Sequence, residues 1–179
     1  MGARASSVVA LLSVAVVSTM LAGSPSAATH RPLVTGGYPY ASACPQAGDR
    51  DDVDRWLMNT CNCTSYVAWA LEANGYRTAW FIAGRMDARN WPRVARLSNF
   101  AVRARPRVGS VAVWPRWGRF GHLAFVTAVD ADGSFDVAEY NLPGGPPFAF
   151  GRRSGLSTRG AVFVYVPRRA PGTGSGEAG

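Results

Sequence analysis

Apolar residues follow two different patterns along this chain, and the change comes after residue 97. Residues 64–73 (TSYVAWALEA) are alanine-rich, lack Gly and Pro, and stop at Asn74-Gly75, the body and end signal of a helix. Residues 86–97 (MDARNWPRVARL) read as one helix broken at Pro92. Beyond that point the pattern is that of strands. Residues 108–114 (VGSVAVW) predict one strand; GHLAFVTAV, DADG and SFDVAEYN predict a strand, a turn and a second strand; residues 161–166 predict a last one. Residues 142–160 are rich in Gly and Pro and predict a loop, and 168–179 a disordered tail. Upstream, residues 29–60 are polar and turn-rich, predicting an extended arm with a short helix near 53–58. Helices followed by a meander of antiparallel strands make an α+β domain rather than alternating βαβ units. No internal repeat is present.

The one long uncharged apolar run, residues 5–23, lies behind Arg4 and is followed by Gly23-Ser24-Pro25-Ser26-Ala27-Ala28. A basic start, an apolar stretch from Val8 to Ala22 and small residues at the cleavage positions predict a secretory signal over residues 1–28. Cleavage after Ala28 would leave 151 of the 179 residues, enough for a single domain, placed at 29–167. The expected product is exported and, with the run removed, has no stable membrane insertion. A composition of 47% hydrophobic and 17% charged residues suits a globular core and excludes a disordered or fibrous chain. The formal net charge is +8, and every basic residue is Arg. Such a balance favours anionic surroundings, including an acidic cell-wall polymer. The arginines are spread from Arg31 to Arg169 rather than gathered in a stripe, which argues against nucleic acid as a partner.

Three cysteines (Cys44, Cys61, Cys63) and two histidines (His30, His122) carry most of the reactive chemistry. In an exported protein two of the thiols are expected to pair. A Cys61–Cys63 bond would close a strained ring across one residue, so Cys44–Cys61 is the easier disulfide and Cys63 is left over. Cys63 immediately precedes the predicted helix, where free N–H groups and the helix dipole favour a thiolate. In the predicted hairpin, a loop of even length would place His122 opposite Asn141, with Glu139 as the diagonal neighbour on the same face. An odd loop without a compensating bulge would turn Glu139 to the other face. A thiol, an imidazole and a polar group orienting that imidazole are what acyl transfer through a thioester needs, and the Cys63 N–H is a candidate oxyanion donor. A zinc site is not expected, because Cys-x-Cys followed directly by a helix lacks the spacing of a structural site. Trp114 and Trp117, just before His122, are candidates for a substrate groove.

The segments NCTSYVAWAL, DARNW, VGSVAVW, GHLAFVTAVDADGSFDVAEYN and LSTRGAVFVYV resemble a CHAP domain, the cysteine, histidine-dependent amidohydrolase/peptidase family, over residues 38–166. A Cys at a helix start, a Gly-His opening one strand and a Glu-x-Asn closing the next carry the resemblance. The Glu-x-Asn ending favours this family over the related NlpC-type cysteine peptidases. The resemblance implies a papain-like (NlpC-type) fold with N-terminal helices packed on an antiparallel sheet. It implies hydrolysis of amide bonds in bacterial peptidoglycan through a Cys63 acyl-enzyme, with His122 as base, Glu139 orienting it and Asn141 as an accessory polar residue. A secreted, wall-associated monomer with no cofactor is expected, peptidoglycan being its partner and anionic wall polymers its neighbours. Two other functions are weighed beside it: a non-catalytic wall-binding protein with Cys63 tied into a disulfide, and an amidase acting on another acyl substrate.

Overall fold

The computed structural model describes residue 2 and residues 32–44, 52–84 and 87–170, with the side chains of 82–84 excepted. The expected signal at residues 1–28 lies outside the described residues. The chain divides into two units, Met1–Arg31 and Pro32–Gly179, and every element below belongs to the second. No helix among the described residues is long and apolar enough to cross a membrane.

Helix α1 spans Cys63–Ala73. It ends as its sequence predicts: Gly75 takes φ +74, Tyr76 N–H donates to the Leu71 carbonyl and Gly75 N–H to that of Glu72. This pair of bonds satisfies the last carbonyls of the helix, and glycine carries the left-handed step without a Cβ clash. Asn74 is buried and ties the N-terminal arm to the helix, exchanging 2.8 Å bonds with the backbone of Val34.

Pro92 does not break the second helix but begins it. A short 3-10 turn, Ala88–Asn90, leads into α2, Trp91–Leu97, with Pro92 in the first turn, where its missing N–H costs nothing. The helix expected near residues 53–58 is absent. There Asp54 Oδ1 accepts the N–H groups of Trp56 (2.8 Å) and Met58 (2.9 Å), and Val53 bridges Asn59, so the carboxylate organises a turn in place of helical bonds. A further 3-10 segment covers Ala79–Gly84.

Six strands form one antiparallel sheet: β1 Ala101–Arg103, β2 Val111–Trp114, β3 His122–Val129, β4 Phe135–Tyr140, β5 Phe150–Leu156 and β6 Val162–Tyr165, in the order β1-β6-β2-β3-β4-β5. This is the expected α+β arrangement, with three differences. Residues 142–160 are not all loop, since β5 adds the edge strand beside β4. Its sequence FGRRSGL is largely exposed and has no apolar alternation, so nothing local marks it as a strand. Residues 108–110 form a turn ahead of β2, and β1 had no sequence signal at all.

The sheet has two unlike faces. One packs Leu123, Phe125, Ala138, Tyr140 and Val164 against Val67 and Leu71 of α1 and Val94 of α2. Each fully buried valine, leucine or phenylalanine among them contributes roughly 1.5–3 kcal/mol. On the other face the strand pair Ala112↔Ala124 leaves room at the centre, and Phe135 of β4 reaches across to Phe163 of β6 with ring centroids 5.0 Å apart. Rings from strands three ladders apart meet only if the sheet curls toward that face. At the far end, Arg168 pairs with Tyr76 and Arg169 N–H donates to the Gly75 carbonyl, so the chain stays attached through Arg169. Residues 171–179 lie outside the described residues.

Candidate active site

Cys63 occupies the first position of α1, as the end of the predicted helix requires. The two residues ahead of it are held unusually firmly. Cys61 sits at φ +62, a conformation that side chains rarely adopt. It is fastened there by a disulfide to Cys44 and by its N–H, which donates to the Tyr38 hydroxyl at 3.0 Å. That hydroxyl also bonds Ser65 Oγ, one turn into the helix. Asn62 is extended and does not cap the helix with its side chain; instead its Oδ1 accepts from Asn141 Nδ2 at 2.6 Å. The first-turn N–H groups of α1 therefore keep no side-chain acceptor from the cap position. Cys63 itself is a free, half-buried thiol.

His122 opens β3 directly after Gly121, and the glycine is required. A Cβ at Gly121 would lie 2.7 Å from the Arg89 nitrogen, whose N–H donates to the Phe120 carbonyl at 3.0 Å, and φ is +74. Any side chain there would push the 3-10 turn off the start of the strand.

The hairpin brings Glu139 to the same side as His122, though by a route other than an even loop. The ladder begins at Val129↔Phe135, which leaves an odd loop, and a bulge between Val126 and Ala128 restores the register at Val126↔Val137 and Phe125↔Ala138. Continued toward the strand start, that register sets Glu139 diagonal to His122, and His122 Nε2 donates to Glu139 Oε2 at 2.7 Å. Both side chains are buried, at 1% and 0% exposure.

A cationic partner missing from the sequence reading completes this group. Arg153 of β5 donates from Nε to Glu139 Oε1 (2.5 Å) and from Nη2 to Oε2 (2.8 Å). Its guanidinium lies 5.1 Å from the Trp114 ring centroid and 5.2 Å from that of Trp117. Nothing in the residues 150–156 signals a strand, so nothing local could have set Arg153 beside Glu139; an arginine doublet within reach of an otherwise unpaired buried carboxylate is the only hint.

Burial alone would lower the pKa of His122, but the hydrogen bonds and charges of Cys63 and Glu139 outweigh it and hold the imidazole up at about 9. Nε2 is taken by Glu139, which leaves Nδ1 as the ring nitrogen for Cys63. For Glu139 burial pulls upward, and hydrogen bonds and charge from His122 and Arg153 outweigh it, keeping the carboxyl below its usual range.

Cys63, His122, Asn141 and Trp117 line one cleft of about 720 Å³, together with Asn59, Asn62, Phe120 and Phe148. Asn141, at φ +51 just past β4, accepts the Phe148 N–H and holds Asn62 rather than the histidine. Trp114 does not line the cleft. It is buried in the curled face, packed near His122 and Phe135, so of the two groove candidates only Trp117 faces the opening. Among the described residues no group of three or more His, Cys, Asp or Glu is placed to hold a metal.

Residues 53–141 match the family model for the CHAP domain. The curated relatives include N-acetylmuramoyl-L-alanine amidase sle1 of Staphylococcus epidermidis, 36% identical over 72 residues, which cover 40% of this chain and 20% of the relative. The Staphylococcus saprophyticus protein of the same name is 32% identical over 112 residues, 62% of this chain and 32% of the relative. The chain thus spans between a fifth and a third of the length of these relatives. A crystal structure of an N-acetylmuramoyl-L-alanine amidase from Staphylococcus aureus superposes with a TM-score of 0.50 at 20% identity, covering 66% of this chain and 36% of that one. That likeness is one of fold.

Proposed function

We propose that this chain, which carries a CHAP domain over residues 53–141, is an exported peptidoglycan amidohydrolase working through a Cys63 acyl-enzyme. The observation that carries the reading is a free thiol and a buried imidazole lining one cleft, with a fully buried carboxylate hydrogen-bonded to the far side of the imidazole. The relatives named as N-acetylmuramoyl-L-alanine amidases support the substrate class.

The steps follow from the geometry. Cys63 Sγ attacks the carbonyl carbon of the scissile amide while His122 Nδ1 takes the thiol proton. Charge develops on the carbonyl oxygen, and the Cys63 N–H at the uncapped start of α1 is aimed to receive it. His122 then passes its proton to the departing amine nitrogen, the C–N bond breaks and a thioester remains. Water, deprotonated by His122, attacks that thioester and releases a carboxylic acid and the thiol. Glu139 keeps Nε2 protonated and the ring aimed through both half-reactions, the service an orienting carboxylate gives.

The test is mass spectrometry of purified peptidoglycan incubated with the chain. New fragments that vanish with Cys63→Ala are expected, and their termini name the bond. A folded protein with a titratable Cys63 thiol and no fragments would overturn the substrate assignment in favour of another acyl compound.

A further inference from the structure

We propose that Arg153 is a positioning residue of this site, clamping the Glu139 carboxylate so that it stays charged and aimed at His122. The inference rests on reading Cys63 and His122 as the reacting pair, but its first test does not. The family-model match ends at Asn141, before β5, so Arg153 lies outside the matched segment.

Three bonds converge on one carboxylate: Arg153 Nε on Oε1, Arg153 Nη2 on Oε2, and His122 Nε2 on Oε2. Turning the carboxylate in either direction breaks at least one of them. Glu139 is 0% exposed, and a carboxylate so far from water stays ionised only where charge or donors replace its hydration. The charged and titratable groups around it are His122 from β3, Arg153 from β5 and Tyr66 from α1, with Cys63 beyond the imidazole. Tyr66 is a phenol that burial keeps protonated. Arg152 acts on Tyr66, and Arg153 is the permanent positive charge bonded to the Glu139 carboxylate itself.

The guanidinium is itself held by stacking. Trp114 and Trp117 both lie within about 5 Å of it, and Trp117 also meets the His122 ring edge-on at 5.5 Å while lining the cleft. A planar fork that bonds two oxygens at once and stacks on indole is a task for arginine that lysine does not reproduce. Trp117 is thus the wall residue through which the clamp borders the bound substrate.

The first experiment is NMR titration of the His122 imidazole in the intact chain, with His30→Gln identifying the other histidine resonance. In the parent, the Glu139 inflection is expected below the usual carboxylate range, where His122 and Arg153 hold it. In Arg153→Gln the Glu139 inflection rises by about one pH unit or more, and in Arg153→Lys by less. In peptidoglycan turnover, Arg153→Gln lowers kcat by about tenfold with KM little changed, and the acid limb of the kcat profile moves up with the inflection. A folded Arg153→Gln with both inflection and acid limb unmoved overturns the clamp. Should that variant fail to fold, Arg153→Lys decides: full kcat and an unmoved acid limb overturn it. An inflection that moves while the parent cleaves no peptidoglycan supports the clamp and sinks the hydrolase reading instead.

Discussion

The two walls of the cleft are built by opposite means. The wall carrying Cys63 is held by covalent and backbone devices: a disulfide, a left-handed Cys61, a tyrosine hydroxyl and a short amide bridge from Asn62 to Asn141. The wall carrying His122 is held by charge, with imidazole, carboxylate and guanidinium in line across three strands. The difference follows from exposure. A thiol proposed as nucleophile has to be reachable; Cys63 is half-buried, and charges beside it would be weakened by water. An imidazole that must hold a proton between two steps is better kept dry, where a partner carboxylate acts at full strength.

Breaking each wall should therefore have a different signature. The largest effect is expected from Cys63→Ala, which abolishes turnover, a loss of about 10³-fold or more, while leaving thermal stability near the parent's. Calorimetry beside a turnover assay checks it; a large drop in stability would mean that the thiol also holds the fold. Glu139→Ala strikes the charged wall and should cost about 3–5 kcal/mol in urea unfolding, because it strands the Arg153 charge, and turnover should fall with it.

The disulfide that braces the Cys63 wall should respond in stability alone. Cys44 and Cys61 close a loop of sequence separation 17, for which a disulfide is worth about 3 kcal/mol. The double variant Cys44→Ala/Cys61→Ala is expected to lose about that much in denaturant unfolding while keeping kcat per folded molecule within about twofold. Equal losses in both measurements would show that the two walls do not act independently.

A pH series sharpens the comparison. Folding raises the His122 pKa from 6.5 to about 9, so its contribution is fully present below pH 6.5 and is lost as pH rises through 9. Folding lowers the Glu139 pKa from 4.5, so its contribution is present above that value and is lost on acidification. The charged wall is thus most stabilising from about pH 5 to 6.5. Tm measured against pH should decline on both sides of that window, and His122→Gln should flatten the alkaline side. The smallest effect is expected from Asn141→Ala, about 1 kcal/mol, since it removes a hydrogen-bonded tie between β4 and the start of α1.

Much of the fold was legible in the residues because each signal was local. Helix α1 needed only its alanines and the Asn74-Gly75 stop, and β3 and β4 only their apolar runs and the Asp-Gly turn between them. Cys63, His122, Glu139 and Asn141 could all be picked out as polar breaks at element ends. Misreadings came where a neighbour outweighs local preference. Asp54 captures two N–H groups and unmakes a helix near 53–58, and Pro92 starts a helix that it was expected to interrupt. Strand β5 exists because β4 offers it a ladder, not because FGRRSGL favours one.

From the sequence alone came the pairing of a thiol at a helix start with one histidine and an acidic strand end, because residue type and spacing along a single element are set by the chain's own periodicity. Whether Glu139 faces His122 was another matter. It depended on an odd loop being corrected by a bulge near Thr127, a one-residue adjustment that no local pattern announces. Trp114 was sent to the core and Trp117 to the cleft by the curl of the sheet. Arg153 reached Glu139 only because β5 took the place beside β4. These choices belong to the tertiary structure, because they are contacts between segments far apart in the chain, and such contacts are decided by register and packing.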